Sequence, residues 1–216
     1  MKSYVVIGIG RFGYNLAVTL SKIGNEVLVI DENEEAIQKI SDDVTHCIVG
    51  DAEDEAVLRS IGVRNFDCAI VAFSSDIQSS VLITLMLKEL GVPFVVAKAK
   101  SEIHRRVLEK VGADKIVFPE RDMGVKFAQS LSSANIMDYI ELSDAYSIIE
   151  TKMPEQWIGR SLKELDIRNR YSINVLAIKD GKTGTIDISP NPDDLMQEND
   201  IAIVIGSTDD LNRAIK

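Results

Sequence analysis

Histidine, cysteine, basic charge and long apolar runs are all scarce in this chain, and each scarcity removes a class of function. Among 216 residues there are two histidines and two cysteines. His46 and His104 belong to no Ser/His/Asp constellation and no metal-spaced cluster. Bland roles are expected of both: packing for His46, in or beside a strand, and a surface position for His104, in a helix. Cys47 and Cys68 lie in apolar strand-like segments without the paired spacing of metal ligands. They read as small buried hydrophobes of a reducing cytoplasm. No G-x-x-x-x-G-K-[ST] run is present, so the usual nucleoside-triphosphatase phosphate chemistry is not supported. The longest apolar run, 81–87, is far short of the roughly 20 residues that cross a bilayer and reads as a buried helix. No secretory leader is expected, because the first residues run directly into a strand. Twenty-four Lys and Arg face 34 Asp and Glu, a formal charge of −10. That balance argues against wrapping nucleic acid or lying on anionic lipid by bulk charge, and leaves a basic protein surface open as a partner.

What the chain does have is a glycine fingerprint in the right setting. An apolar strand at Tyr4-Val5-Val6-Ile7 leads into Gly8-Ile9-Gly10-Arg11-Phe12-Gly13. A helix-like stretch follows, and a second apolar strand ends on Asp31. In this pattern Gly8 permits a tight turn, Gly10 lets backbone N–H groups approach a phosphate, and Gly13 lets the helix lie close to the strand. The helix start offers unpaired N–H donors to an anion, and Asp31 can accept hydrogen bonds from ribose hydroxyls. Arg11, inside the turn, adds a guanidinium that can reach a terminal phosphate. A dinucleotide-type half that has lost its ligand is the competing reading.

The alternation continues. Strands are expected at 3–8, 26–30, 45–49, 67–72, 94–98 and 115–118, and helices at about 11–23, 33–41, 54–61, 76–90 and 102–111. Gly24, Gly62, Gly91 and Gly112 each close a helix. This is an α/β pattern of right-handed βαβ units around a Rossmann-like parallel sheet, which binds ligands at the carboxyl ends of its strands. Gly8–Gly13, Asp31, Gly50-Asp51-Ala52, Ala72-Phe73-Ser74 and Lys98 share that rim. Asp51 also reads as a helix N-cap. From Pro119 to about Asn135 an amphipathic helix is expected, with Val125, Ala128, Leu131 and Ser132 on one face. A small α+β lobe follows, with strands near 139–142, 146–151, 173–179, 184–188 and 200–205, and helices near 162–165 and from 208. The division is 1–136, a nucleotide-binding lobe with its crossover helix, and 137–216, a regulatory and dimerising lobe.

With these residues in view the chain resembles the RCK (regulator of K⁺ conductance) subunits of Ktr/Trk-type bacterial potassium uptake systems, most like the Ktr gating-ring subunits of Gram-positive bacteria. The resemblance rests on residues 6–13, on Ile61-Gly62-Val63-Arg64-Asn65-Phe66-Asp67, and on Leu85-Met86-Leu87-Lys88-Glu89-Leu90-Gly91. It continues through 107–114, Phe118-Pro119-Glu120-Arg121-Asp122-Met123-Gly124 and 138–143, and more loosely through 171–179 and 200–206. It implies an octameric homo-oligomer peripheral to the inner face of the membrane, docked on an integral-membrane potassium-translocating subunit. It also implies an N-lobe that binds ATP or ADP, or NAD(H), through Gly8, Gly10, Arg11, Phe12, Gly13, Asp31, Asn33, Asp51, Ala52, Ala72, Phe73, Lys98 and Glu120. Arg11 would meet the terminal phosphate, and Glu120 would face Na⁺, Mg²⁺ or Ca²⁺. In the C-lobe it assigns Arg168, Asn174, Val175 and Pro190 to cyclic di-AMP. Asn169, and Ser74 with Ser75, depart from the family pattern. The residues taken alone give Glu120 and Asp122 a plainer part, favouring a helix start. They make Lys98, Lys100, Arg168 and Arg170 surface charges and Pro190 a turn.

The alternative is a small NAD(P)-dependent oxidoreductase. Arg11 counts against it, as does a C-lobe with no histidine to serve as acid–base group. A nucleotide sensor for a transporter of some other solute is a third reading.

Overall fold

The computed structural model describes residues 1–73, 75–132, 136–143 and 145–215, without the side chains of Gln129, Ser130 and Ser132. Ser74 and the end of the crossover helix at Asn135, both named above, lie outside the described residues. The chain divides into two compact units, Met1–Arg121 and Asp122–Lys216.

The first unit alternates β1 (Ser3–Ile7), α1 (Arg11–Lys22), β2 (Glu26–Asp31), α2 (Glu34–Ile40), β3 (His46–Val49), α3 (Glu55–Ser60), β4 (Cys68–Val71), α4 (Ile77–Glu89), β5 (Val95–Lys98), α5 (Glu102–Lys110) and β6 (Lys115–Val117). Its six strands lie in the order β3-β2-β1-β4-β5-β6, and all pairs are parallel. Successive residues of a strand face opposite ways, so each strand feeds two cores. Val5, Ile7, Ile30 and Val71 pack with Leu58, Ile83, Leu87 and Leu108 from α3, α4 and α5. Val6, Val29 and Ile70 pack with Ala17, Ile37 and Ile40 from α1 and α2. Chain order reverses between β1 and β4, and the cleft that opens at such a reversal is where this architecture takes ligands.

Gly24, Gly62, Gly91 and Gly112 all have positive φ, +67° to +100°, directly after helices, as their spacing predicts. Side chains cap the other ends: Asn33 accepts the Ala36 amide, Asp54 that of Ala56, Asp76 those of Gln78 and Ser79, and Ser101 that of His104. Asp51 is therefore not the cap of α3. The cap lies three residues further, at Asp54, and Asp51 instead accepts the Glu53 amide at 2.7 Å.

Helix α6 (Pro119–Ser132) bridges the division. The second unit contains β7 (Ile136–Ser143), β8 (Tyr146–Lys152), α7 (Leu162–Leu165), α8 (Ile167–Tyr171), β9 (Asn174–Asp180), β10 (Ile186–Asp187), β11 (Asp200–Ser207) and α9 (Thr208–Ala214). The sheet is antiparallel, ordered β10-β9-β11-β8-β7. Fully buried Trp157 and Ile173 anchor its core with Ile149, Val204 and Leu211. A reciprocal Ser161–Glu164 capping box starts α7,. Cys68 is buried and its thiol pushed up to about 11 by desolvation, the state of an inert core thiol, and Cys47 is half-buried.

Candidate functional site

The site forms because β1 must turn sharply before α1. Gly8 has φ +91°, and an added Cβ would lie 2.8 Å from Cδ1 of Phe73. Gly13 sits where α1 crosses the elbow, so a Cβ there would overlap the Gly8 carbonyl oxygen and approach Cβ of Ala72 to 3.0 Å. Around Gly10 there is nothing within 4 Å of the Cβ position. Two of the glycines are thus required by protein contacts, and the third faces open space. Gly10 is also the N-cap of α1 and provides no capping side chain, and the first turn holds no acidic residue. The amides of that turn and the positive end of the helix dipole face the cleft uncompensated.

Asp31 has a structural duty that its place in the sequence did not announce. Its Oδ2 accepts the Ile9 amide at 2.6 Å and its Oδ1 the Asn33 amide at 2.9 Å. It pins the glycine elbow to the end of β2, and each oxygen keeps a lone pair for a ribose hydroxyl. The side-chain oxygen of Asn33 is spent on capping α2.

The rim carries two cavities of about 440 and 470 Å³ that share Gly10, Phe73 and Ser75. They differ sharply in charge. The charged residues of the first are Asp31, Glu32, Asp51, Glu53 and Asp76, all acidic. The second has Arg11, Lys98, Lys100 and Arg121 with one acid, Glu120. The crowding is felt: Asp51, then burial, hold the Glu32 carboxyl above the usual range, with Glu53 and Asp31 adding to it. Five carboxylates repel a 2′-phosphate but can accept hydroxyl hydrogen bonds, whereas the far end attracts phosphate. Of the residues assigned by resemblance to a nucleotide, Gly8, Gly10, Arg11, Phe12, Asp31, Asp51, Ala52, Ala72, Phe73, Lys98 and Glu120 line one cavity or the other. Gly13 and Asn33 do not. Glu32, Glu53, Asp76, Phe118 and Arg121 had not been singled out. They enter because each neighbours a rim residue or a helix start.

At the basic end Nζ of Lys98 lies 2.6 Å from Oε1 of Glu120 and 5.8 Å from the centre of the Phe12 ring. The Arg121 guanidinium stacks 4.4 Å from the Phe118 ring centre. The bond from Lys98, with the positive charge of Arg11 nearby, holds the Glu120 carboxyl below its ordinary value. No three His, Cys, Asp or Glu side chains come together to hold a metal among the described residues. One carboxylate already held by a lysine does not fit a resident cation within a single chain.

The histidines reverse their expected places. His46 is exposed because β3 is the edge strand, and His104 is 1% exposed on the inner face of α5. In the second unit Arg168 is exposed on α8, Asn174 and Val175 open β9, and Pro190 walls a cavity of about 630 Å³ with Asp180, Asp187, Asp194 and Asp200. No lysine, arginine or histidine lines that cavity, and Arg168, Asn174 and Val175 are not among its walls.

The TrkA-N domain family matches residues 4–119 and the TrkA-C domain family residues 147–216. Ktr system potassium uptake protein A of Bacillus subtilis (strain 168) is 44% identical over 98% of this chain and 95% of its own length. Protein C of the same system and organism is equally similar, 44% over the same shares. The chain belongs to the Ktr group of TrkA-N/TrkA-C (RCK) proteins. Both of these relatives are named as potassium uptake proteins. Among solved structures, the GsuK channel bound to NAD superposes with a TM-score of 0.67 at 17% identity, over 97% of this chain and 38% of that one. The structure of GsuK bound to ADP matches 57% of this chain and 32% of that one, with a TM-score of 0.50 at 18% identity. At those identities the likeness is one of fold.

Proposed function

We propose that this RCK protein is the cytoplasmic gating-ring subunit of a bacterial potassium uptake system, switched by ATP and ADP at the glycine elbow. The observation that carries the reading is the charge division of the cleft, acidic where ribose hydroxyls would lie and basic where phosphates would lie, with open space at Gly10 between them. A nucleotide fits this arrangement along its length: adenosine toward Asp31 and Ala52, phosphates on the first turn of α1, and the terminal phosphate toward Arg11 and Lys98. The acidic end disfavours the 2′-phosphate of NADP(H) and leaves NAD(H) as a second ligand.

In this mechanism the chain grips a ligand and breaks no bond. A charge-assisted hydrogen bond from Arg11 separates ATP from ADP by about 1.5–3 kcal/mol. Turning a two-state equilibrium from about 1:99 to 99:1 takes about 5.5 kcal/mol, so several sites linked in a ring are needed. Lys98 supplies the local lever. A phosphate at the basic end competes with Glu120 for its ammonium group, and Glu120 is the second residue of α6. A cation at Glu120 requires the same release of Lys98, together with oxygens from the phosphates or from a second subunit.

Assembly is supported by the apolar surface of α6, where Met123, Val125 and Leu131 are exposed. Residues 1–136 would act as the nucleotide lobe with its crossover helix, and 137–216 as the dimerising regulatory lobe. Cyclic di-AMP, an anion, is poorly served by the acidic cavity at Pro190. Its place would be between two copies, near Arg168, Asn174 and Val175. No helix is long and apolar enough to cross a membrane among the described residues, so attachment would run through an integral-membrane potassium-translocating partner. The experiment is paired: co-purification of a potassium-translocating membrane protein with the tagged chain, and calorimetry of the purified protein with ATP and ADP. A ring that binds neither nucleotide and retains no such partner would end this reading.

A further inference from the structure

His104 is the third residue of α5, the position from which Glu or Gln reaches back in an ordinary capping box. Its amide donates to Oγ of Ser101, the N-cap, at 3.2 Å, and its Nδ1 accepts the amide of Lys100, also at 3.2 Å. The ring therefore closes a turn that begins at the end of β5. Within that turn Ala99 is held by the sheet, its amide donating to the Val117 carbonyl at 2.9 Å. The next amide, that of Lys100, is held by His104. Lys98, Ala99 and Lys100 are all walls of the basic cavity.

We infer that His104 is the positioning residue of the phosphate end, its neutral ring fixing the turn that aims Lys98 and Lys100 at the anion. The inference rests on the nucleotide reading given above. Because Nδ1 is an acceptor, the ring proton sits on Nε2. That nitrogen is buried and has no hydrogen-bond partner among the described residues. A glutamate would reach back to the Ser101 amide, leave the Lys100 amide open, and set a negative charge beside the end that must attract phosphate. A neutral acceptor closes the turn and leaves the field positive. Burial, and then the charge of Lys100, disfavour protonation of the ring and keep it an acceptor.

Two substitutions separate the ring nitrogens. In His104→Asn the side-chain oxygen stands where Nδ1 stands, whereas His104→Gln places its polar group near Nε2 and leaves the Lys100 amide without a partner. In calorimetry on the full-length protein, H104Q should weaken ATP by about three- to tenfold, one net hydrogen bond, and H104N by less than about twofold. Adenosine, which lacks phosphate, should bind both variants as it binds the parent. Amide exchange without nucleotide should quicken at Lys100 in H104Q and not in H104N. Equal weakening in both variants, or equal losses for adenosine and ATP, would overturn the inference. Should H104Q fail to fold, imidazole nitrogen NMR of the parent still decides, since a ring protonated on Nδ1 is incompatible with it. A parent that binds no ATP would remove the nucleotide reading, and the exchange contrast at Lys100 would then show by itself whether His104 holds the turn.

Discussion

Gly10 and Gly13 stand three residues apart in one motif, and alanine should affect them in opposite ways. At Gly13 a new Cβ meets the Gly8 carbonyl oxygen and Cβ of Ala72. Both are fixed by β1, β4 and the elbow, so α1 must move outward. Overpacking of this kind costs about 1–3 kcal/mol, toward the upper end where the obstacle is backbone. At Gly10 the backbone has φ −71°, comfortable for alanine, and nothing lies within 4 Å. A glycine N-cap is better than alanine by somewhat under about 1 kcal/mol, and replacing glycine restricts the unfolded chain by about 0.4–1 kcal/mol, so the two terms nearly cancel. Gly10→Ala should therefore melt within about 1–2 °C of the parent, while Gly13→Ala melts several degrees lower. Binding should invert that order of interest. The methyl group of Gly10→Ala fills the approach to the first-turn amides, and losing one charge-assisted contact weakens ATP by about ten- to a hundredfold. Melting curves without ligand and calorimetry with ATP test both halves. A Gly10→Ala protein that binds ATP as the parent does would show that no phosphate rests on the elbow.

Arg11→Ala should leave melting unchanged and shrink the preference between ATP and ADP by about tenfold or more, read by calorimetry, and an unchanged ratio would remove Arg11 from the switch. Asp114 joins three elements, accepting from Nζ of Lys88 at 2.8 Å and from the Val95 amide at 2.7 Å. Burial pushes its carboxyl up, but these two bonds outweigh it and hold the folded value below the ordinary one. Its stabilisation is therefore present above the unfolded value of about 3.9 and is lost as pH falls through the folded value. Asp114→Asn should cost about 1 kcal/mol at pH 7, allowing for partial solvent exposure, and the gap from the parent should close at acid pH. A gap that persists at acid pH would assign the effect to packing instead of charge. Leu131→Asp, on the exposed apolar stretch of α6, should shift sedimentation toward smaller assemblies with the same circular dichroism. An unshifted ring would place the contact elsewhere.

The first unit was legible because its signals are local. Helices α1, α3, α4 and α5 are each followed by a glycine that does adopt positive φ, and the central strands β1, β2 and β4 are short apolar runs buried on both faces. The errors came where two local signals competed. In α5, Ile103 and Val107 form an apolar i,i+4 pair that predicts the inner face, with His104 outside it. The buried residues are instead His104 and Leu108, another i,i+4 pair, and Ile103 is 76% exposed. Polarity misled because the buried ring has a partner in the Lys100 amide, a bond invisible to periodicity. At Asp51 the choice lay between two acids three residues apart, and only the path of the turn gives the cap to Asp54. In the second unit strand positions were nearly right, yet the order β10-β9-β11-β8-β7 depends on non-local pairing that no local pattern encodes.

The polarity of the cleft belongs to the same class of property. Its acids come from the ends of β2 and β3 and the start of α4, its bases from α1, the end of β5 and the start of α6. Along the sequence these charges are scattered through a chain of net charge −10, which by itself argues against an anionic ligand. Folding separates the signs across one rim, and low-dielectric walls between the two ends sharpen the local field. Net charge governs what the whole surface attracts, while a cleft answers to the few charges that converge on it. An anionic protein can therefore grip an anionic nucleotide, provided the grip is confined to the end where Arg11, Lys98, Lys100 and Arg121 meet the open face of Gly10. Added salt should weaken ATP far more than adenosine, because screening acts on the phosphate contacts and leaves hydroxyl hydrogen bonds nearly unchanged.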